Sequence, residues 1–88
     1  MPKISKELII KNAQGLHARP AAMFVQIASK YNSNVTIQKG KEKVNGKSIM
    51  GILTLGAQKN SKVIIEVDGD DAQRLAVELE ELLTKEEM

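Results

Sequence analysis

The segment KVIIEVDGDDAQRLAVELEELL, residues 62–83, contains a strand, a turn and a helix in immediate succession. In its first seven residues every second side chain is apolar, which places Val63, Ile65 and Val67 on one face of a strand. The dipeptide Asp68-Gly69 then predicts a turn, because both residue types accept the backbone conformations of tight turns. The strand from Lys62 to Asp68 is therefore the clearest element of the chain.

The helix predicted after this turn has a single apolar stripe. Asp70 and Gln73 have the spacing of a capping box, so we expect the helix to begin there. The glutamates at positions 78, 80 and 81 lie mostly off the stripe, as on an exposed helix face. The stripe consists of Ala72, Leu75, Ala76, Leu79, Leu82 and Leu83.

The rest of the chain predicts three further strands and one further long helix. Ile4 to Ile10 is a predicted strand whose apolar face is interrupted by Lys6. Apolar residues at helical spacing predict a helix from Ala18 to about Tyr31, and the polar cluster at residues 32–34 ends it. Residues 34–38 and 42–45 alternate on either side of a glycine and predict an antiparallel hairpin. Four strands and two amphipathic helices predict an α+β two-layer sandwich, in which the helices cover one face of a mostly antiparallel sheet.

Length and composition limit the class of protein. The 88 residues, 42% hydrophobic and 27% charged, suit one compact domain over residues 1–88. The chain has no cysteine and one histidine, which excludes a disulfide, a thiolate metal site and an imidazole-rich zinc site. We also expect no metal and no cofactor. No apolar run is long enough for a membrane span, and Met1 to Glu7 lacks the apolar core of a signal peptide. We therefore expect a cytoplasmic protein without membrane insertion.

Three functional classes are disfavoured by the residues themselves. The formal net charge is +2, but basic residues are interleaved with acidic ones, and Phe24 and Tyr31 are too few aromatics for a nucleic-acid stacking platform. Gly46-Lys47-Ser48 ends like a phosphate-binding P-loop, yet Lys41 occupies the position that needs glycine. The acidic pairs after residue 69 are ordinary at a helix start or on an exposed helix face, and they form no catalytic dyad.

The only histidine lies in the hexapeptide Gly15-Leu16-His17-Ala18-Arg19-Pro20, where a loop is predicted to become a helix. A helix start presents N–H groups without internal partners and the positive end of the helix dipole, which together stabilise an anion. Arg19 adds a guanidinium that can chelate phosphate oxygens, and Pro20 restricts the backbone before it. The neutral imidazole of His17 can attack an electrophilic phosphorus and hold a phosphoryl group. The hexapeptide therefore indicates a phosphoryl-acceptor site.

Other interpretations of this hexapeptide stay open. A single histidine near a helix start is often a surface residue or an improvised cap. A small anion-binding module would need the same backbone donors but no nucleophile. A standalone hydrolase is disfavoured, since no second histidine, cysteine or base-orienting carboxylate accompanies His17.

The segment that begins at Ser48, a good helix N-cap, carries more apolar surface than one short turn can bury. We predict a partner-docking patch of Ile49, Met50 and Ile52, with part of the segment closing one end of the core. Met50 is expected to point outward, because a flexible thioether suits a surface that accepts several partners.

The hexapeptide and three later segments resemble the HPr family, the histidine-containing phosphocarriers of the bacterial phosphoenolpyruvate-dependent phosphotransferase system. The later segments are Lys30-Tyr31, residues 44–51 (VNGKSIMG) and residues 53–56 (LTLG), so the resemblance covers nearly the whole chain. It implies the family's open-faced topology, with a third, short helix that begins near Ser48. Asn60 stands where many relatives have glycine, and it predicts a left-handed turn.

The same resemblance implies a mechanism and a set of partners. Phospho-enzyme I would charge His17, the backbone N–H groups around Ala18 and Arg19 and the Arg19 side chain would hold the phosphoryl group, and an enzyme IIA domain would receive it. Ser48 matches the serine that HPr kinase/phosphorylase modifies in many members, and a transcription regulator is a further expected partner. We expect a monomer without a nucleic-acid partner. The resemblance leaves open whether the carrier serves sugar uptake or the nitrogen-related branch of the system.

Overall fold

A computed structural model describes residues 3–86; the ends of the predicted domain, residues 1 and 88, lie outside the described residues. The described residues form four strands and three helices. In chain order these are β1 (Lys3–Ile9), α1 (Ala18–Ser29), β2 (Asn34–Lys39), β3 (Glu42–Asn45), α2 (Ile49–Leu55), β4 (Lys62–Asp68) and α3 (Ala72–Thr84). The predicted α+β two-layer sandwich with a short third helix is confirmed.

The sheet has the strand order β1-β4-β2-β3. A mostly antiparallel sheet was predicted, and all three described strand pairs are antiparallel. The bounds predicted for β4 are confirmed, and its three inward residues, Val63, Ile65 and Val67, are all 0% exposed. They pack in one core with the stripe of α3, all six residues of which are buried. β4 is thus an interior strand of the sheet, flanked by β1 and β2, and its buried face packs against α3.

β1 covers Lys3 to Ile9, one residue earlier than predicted at each end. Lys6, which interrupts the apolar face of β1, forms an ion pair with a residue of α3. Its ammonium lies 2.6 Å from a carboxylate oxygen of Glu80, so the charge is paired where the strand meets the helix.

The start of α3 differs from the prediction. The helix begins after Asp71 instead of Asp70, so the expected capping box with Gln73 is wrong. The Asp71 carboxylate accepts hydrogen bonds from the Ser33 hydroxyl and from the backbone N–H groups of Asn32 and Ser33 at 2.9 and 3.0 Å. These bonds, that of the Ser33 hydroxyl above all, hold the pKa of Asp71 below its usual value. A contact between distant segments has replaced a local cap.

α1 ends at Ser29, about two residues before the predicted end. The N–H groups of Lys30 and Tyr31 bond to carbonyls three residues earlier, at 3.1 and 3.2 Å, so the helix closes in a tight turn. The Tyr31 hydroxyl then donates a hydrogen bond to Glu78 of α3, which raises the pKa of Tyr31 and lowers that of Glu78. Between residues 3 and 86, no helix has the length and apolar character that a membrane span requires.

Candidate functional site

His17 is the N-cap residue of α1, at the point where the loop after β1 becomes the helix. Its backbone is extended (φ −95°, ψ −170°), and its carbonyl accepts the first helical hydrogen bond, from the Ala21 N–H at 2.8 Å. The side chain is exposed and makes no capping hydrogen bond. The imidazole is therefore open to a partner protein from solvent.

The backbone directly after His17 offers unpaired donors. The N–H groups of Ala18 and Arg19 have no hydrogen-bond acceptor within residues 3–86, and Pro20 carries no N–H. The Arg19 side chain is exposed and forms no ion pair with the carboxylates of that same range. Two N–H groups and one guanidinium are thus free to bind an anion held by His17.

The loop before His17 is fixed against the segment that follows α2. The Leu16 N–H donates to the Ala57 carbonyl at 2.8 Å, and the Leu16 side chain is only 1% exposed. Gly15 has a φ of +63°, and a Cβ atom there would lie 2.6 Å from the Ala57 oxygen. Sequence reasoning did not find Ala57, because no local pattern marks a contact between segments some forty residues apart.

A turn built by Asn12 lies at the start of the same loop. Its side-chain Oδ1 accepts from the Gln14 N–H at 3.1 Å, and its carbonyl accepts from the Gly15 N–H at 3.0 Å. This Asx turn also escaped the sequence analysis, although an asparagine three residues before a glycine is a typical signal for one.

Ser48 is the N-cap of α2, as predicted. Its hydroxyl oxygen accepts a hydrogen bond from the Gly51 N–H at 3.1 Å, and the residue is half-buried. The preceding residue, Lys47, extends its ammonium to the Tyr31 carbonyl at 2.7 Å, close to the end of α1. The start of α2 is thereby tied to α1.

The predicted docking patch needs one correction. Ile49 and Met50 are 37% and 68% exposed, but Ile52 is 0% exposed and belongs to the core. A short helix has one inward face, and Ile52 shares that face with Leu55, three residues later. Leu53, at 39% exposed, completes the accessible surface. We call Ile49, Met50 and Leu53 the α2 patch.

The two chain segments that carry these groups contain no acidic residue. Residues 8–41 and 43–65 contain no aspartate or glutamate, and these ranges include α1, α2 and both loops that meet at Ala57. Lysines and Arg19 are the only charged residues there at neutral pH. These segments carry no negative charge that would repel an acidic partner, whereas α3, which packs beside α1, places Glu78 and Glu81 next to Met23 and Ile27.

Comparison with known proteins gives a consistent result over almost the whole chain. The family model described as "PTS HPr component phosphorylation site" matches residues 4–85. The phosphocarrier protein HPr of Borreliella burgdorferi is 41% identical over 80 residues, which cover 91% of this chain and 93% of the relative.

Solved structures agree with this result. A crystal structure of HPr from Bacillus anthracis superposes with a TM-score of 0.89 at 36% identity, covering 92% of this chain and 96% of the other. HPr from Thermoanaerobacter tengcongensis gives a TM-score of 0.85 at 44% identity, covering 98% and 94%.

Proposed function

Because this chain belongs to the HPr family of phosphotransferase-system phosphocarriers, we propose that His17 is the residue that accepts the phosphoryl group and passes it on. The observation that carries the proposal is the exposed imidazole of His17 directly before the unpaired N–H groups of Ala18 and Arg19. Nucleophile and anion-binding donors are adjacent in the chain.

The transfer is a displacement at phosphorus. A ring nitrogen of neutral His17 attacks the phosphorus carried on a histidine of enzyme I, so a new P–N bond forms while the donor's P–N bond breaks. The leaving imidazole takes the electron pair of the broken bond. The N–H groups of Ala18 and Arg19, together with the Arg19 guanidinium, stabilise the phosphoryl oxygens. The same displacement in the opposite sense gives the group to an enzyme IIA domain.

The partners dock on the α2 patch and on the basic surface around it. The exposed apolar side chains of Ile49, Met50 and Leu53 support this assignment, and so does the absence of carboxylates from the sequence of α1 and α2. Because enzyme I and the IIA domain must each reach His17, an open site suits the exchange better than an enclosed pocket. We place the exchange in the cytoplasm, with the carrier as a monomer.

Ser48 is the proposed regulatory position, with HPr kinase/phosphorylase as its modifying enzyme and a transcription regulator as a reader of the modified form. A phosphate on its hydroxyl lies at the start of α2, where helix N–H groups favour negative charge. The same dianion stands beside Ile49 of the α2 patch, so it weakens docking of the phosphoryl donor through desolvation and charge.

The test is intact-mass analysis after incubation with phosphoenolpyruvate, magnesium and enzyme I. We expect one acid-labile phosphate on the parent protein and on Ser48→Ala, and none on His17→Gln. The label should then move to an enzyme IIA domain. The carrier role would be refuted if the parent stays unlabelled with an enzyme I that does charge another HPr. Retained phosphate on His17→Gln would assign the acceptor to another residue.

A further inference from the structure

We propose that Asn12 is a positioning residue for phosphoryl transfer, because its side-chain oxygen holds the turn that sets where His17 presents its imidazole. The inference rests on the proposed role of His17 and names a residue outside the GLHARP hexapeptide. It follows from the burial of Asn12 and from its contacts with the loop.

Asn12 is an unusual occupant of the interior. It is 1% exposed, and its Nδ2 amide finds no hydrogen-bond partner within residues 3–86. A buried amide with an unused donor opposes folding, so packing alone is no reason for an asparagine at this position. The contact that its side chain does make is with the backbone of the loop that carries His17.

The contacts of this loop lead from Asn12 to His17 in short steps. The Asn12 oxygens accept from the Gln14 and Gly15 N–H groups at 3.1 and 3.0 Å, which closes the turn. The turn places Gly15 and Leu16 next to Ala57, where the Leu16 N–H donates to the Ala57 carbonyl oxygen at 2.8 Å. His17 is the next residue.

The imidazole itself is held only through the backbone. The structure records no hydrogen bond from the His17 ring to another group in residues 3–86, so the turn and the Ala57 contact determine its place relative to the Ala18 and Arg19 N–H groups. A displacement of about 1 Å at a reacting group is enough to slow transfer markedly. Loss of the Asn12 oxygen therefore acts on the reaction through loop geometry.

The chain contains a matched control in Asn45. Its Oδ1 accepts from the Lys47 N–H at 2.9 Å, and its carbonyl accepts from the Ser48 N–H at 3.1 Å, so it builds the same turn before α2. Asn45→Ala removes an equivalent hydrogen bond without touching the loop of His17.

The experiment compares Asn12→Ala, Asn12→Ser and Asn45→Ala with the parent. With the carrier as the varied substrate of phosphorylated enzyme I, we expect Asn12→Ala to lower kcat/KM several-fold, because displacement of a reacting group by even a fraction of about 1 Å slows transfer. The loss falls mainly on kcat, because the docking surface is unchanged. Asn12→Ser recovers most of it, since a serine hydroxyl can accept the same N–H. Asn45→Ala keeps the parental kcat, because its turn leads to α2 and the docking surface and leaves the loop of His17 in place.

A second measurement does not depend on phosphorylation. The chain has one histidine, so the ring signals of His17 are single and assignable by NMR. We expect them to shift in Asn12→Ala and to stay at the parental positions in Asn45→Ala. Should Asn12→Ala fail to fold, Asn12→Gln replaces it, because its longer side chain moves the oxygen away from the Gln14 N–H.

Parental rates and ring signals in folded Asn12→Ala would overturn the inference, and so would a serine variant as impaired as the alanine variant. A parent protein that enzyme I does not charge would refute the proposed role of His17 instead. The ring signals would then decide by themselves whether Asn12 sets the position of the imidazole.

Discussion

Replacing Gly15 by alanine should displace the loop of His17 and destabilise the fold. An alanine at position 15 lowers the free energy of unfolding in two ways. The first is the left-handed backbone (φ +63°), which costs about 1–2 kcal/mol for a residue with a Cβ atom. The new Cβ would also lie 2.6 Å from the Ala57 oxygen and 2.8 Å from the Gln58 Cα, both backbone atoms that cannot rotate away. Overpacking of this kind adds about 1–3 kcal/mol, so we expect a total loss of about 2–5 kcal/mol.

Gly40 provides the matched control for this substitution. Its φ is +59°, but a Cβ atom there would meet nothing within 4 Å. Gly40→Ala should therefore show only the left-handed cost of about 1–2 kcal/mol.

The assay is urea unfolding of both variants, followed by the rate of charging by phosphorylated enzyme I. We expect Gly15→Ala to be the less stable variant and to charge more slowly, whereas Gly40→Ala charges at the parental rate. Equal losses of stability in the two variants, with equal charging rates, would refute the claim that contact with residues 57 and 58 fixes this loop.

Three further predictions concern the core, a helix cap and acid stability. Ile52→Ala should cost about 2–5 kcal/mol in denaturant unfolding, since its side chain is 0% exposed, whereas Met50→Ala should change stability by less than about 0.5 kcal/mol and raise the KM for charging. Comparable losses of stability in these two variants would contradict their assignment to core and patch. Ser48→Ala should lose about 0.5–2 kcal/mol with its N-cap, and an unchanged unfolding midpoint would show that the hydroxyl does not cap α2. The pKa of Asp71 lies below its usual value because the Ser33 hydroxyl and nearby N–H groups bond to the carboxylate. Its contribution to stability is therefore fully present above about pH 4 and is lost as pH falls through the lowered pKa. Asp71→Asn should be less stable than the parent at neutral pH and lose less stability in acid, and a variant whose stability falls as steeply as the parent's below about pH 4 would argue against this contact.

Local patterns predicted most of the fold and the place of the candidate site. The alternation in β4 and the stripe of α3 predicted which residues are buried, because each face of a strand or helix repeats at a fixed period. The hexapeptide predicted a loop that becomes a helix at His17, and Asn60 does adopt the predicted left-handed backbone, with a φ of 73°.

The errors occurred where a distant segment decides the local structure. The capping box predicted for Asp70 and Gln73 is absent, because the helix begins after Asp71. The Asp71 carboxylate bonds to residues 32–33, and no pattern near Asp71 indicates that contact. Ile52 looks as apolar as Ile49 in sequence, and only the packing of α2 against its neighbours shows which one faces inward. Ala57 was missed for the same reason, whereas the turn of Asn12 is local and its asparagine, three residues before a glycine, was overlooked.

The exposure of His17 has a kinetic consequence for a carrier. A site that two partner proteins can reach is equally open to water. A phosphoryl group held there is exposed to hydrolysis from the time it is accepted until it is passed on. Ordinary protein association at about 10⁵–10⁷ M⁻¹ s⁻¹ gives, at about 1 μM partner, one encounter every 0.1–10 s or so. With His17 as the proposed acceptor, the charged carrier must outlast that wait many times over, and because no wall encloses the site, the adjacent main-chain donors are the groups that can shield the bound phosphoryl oxygens.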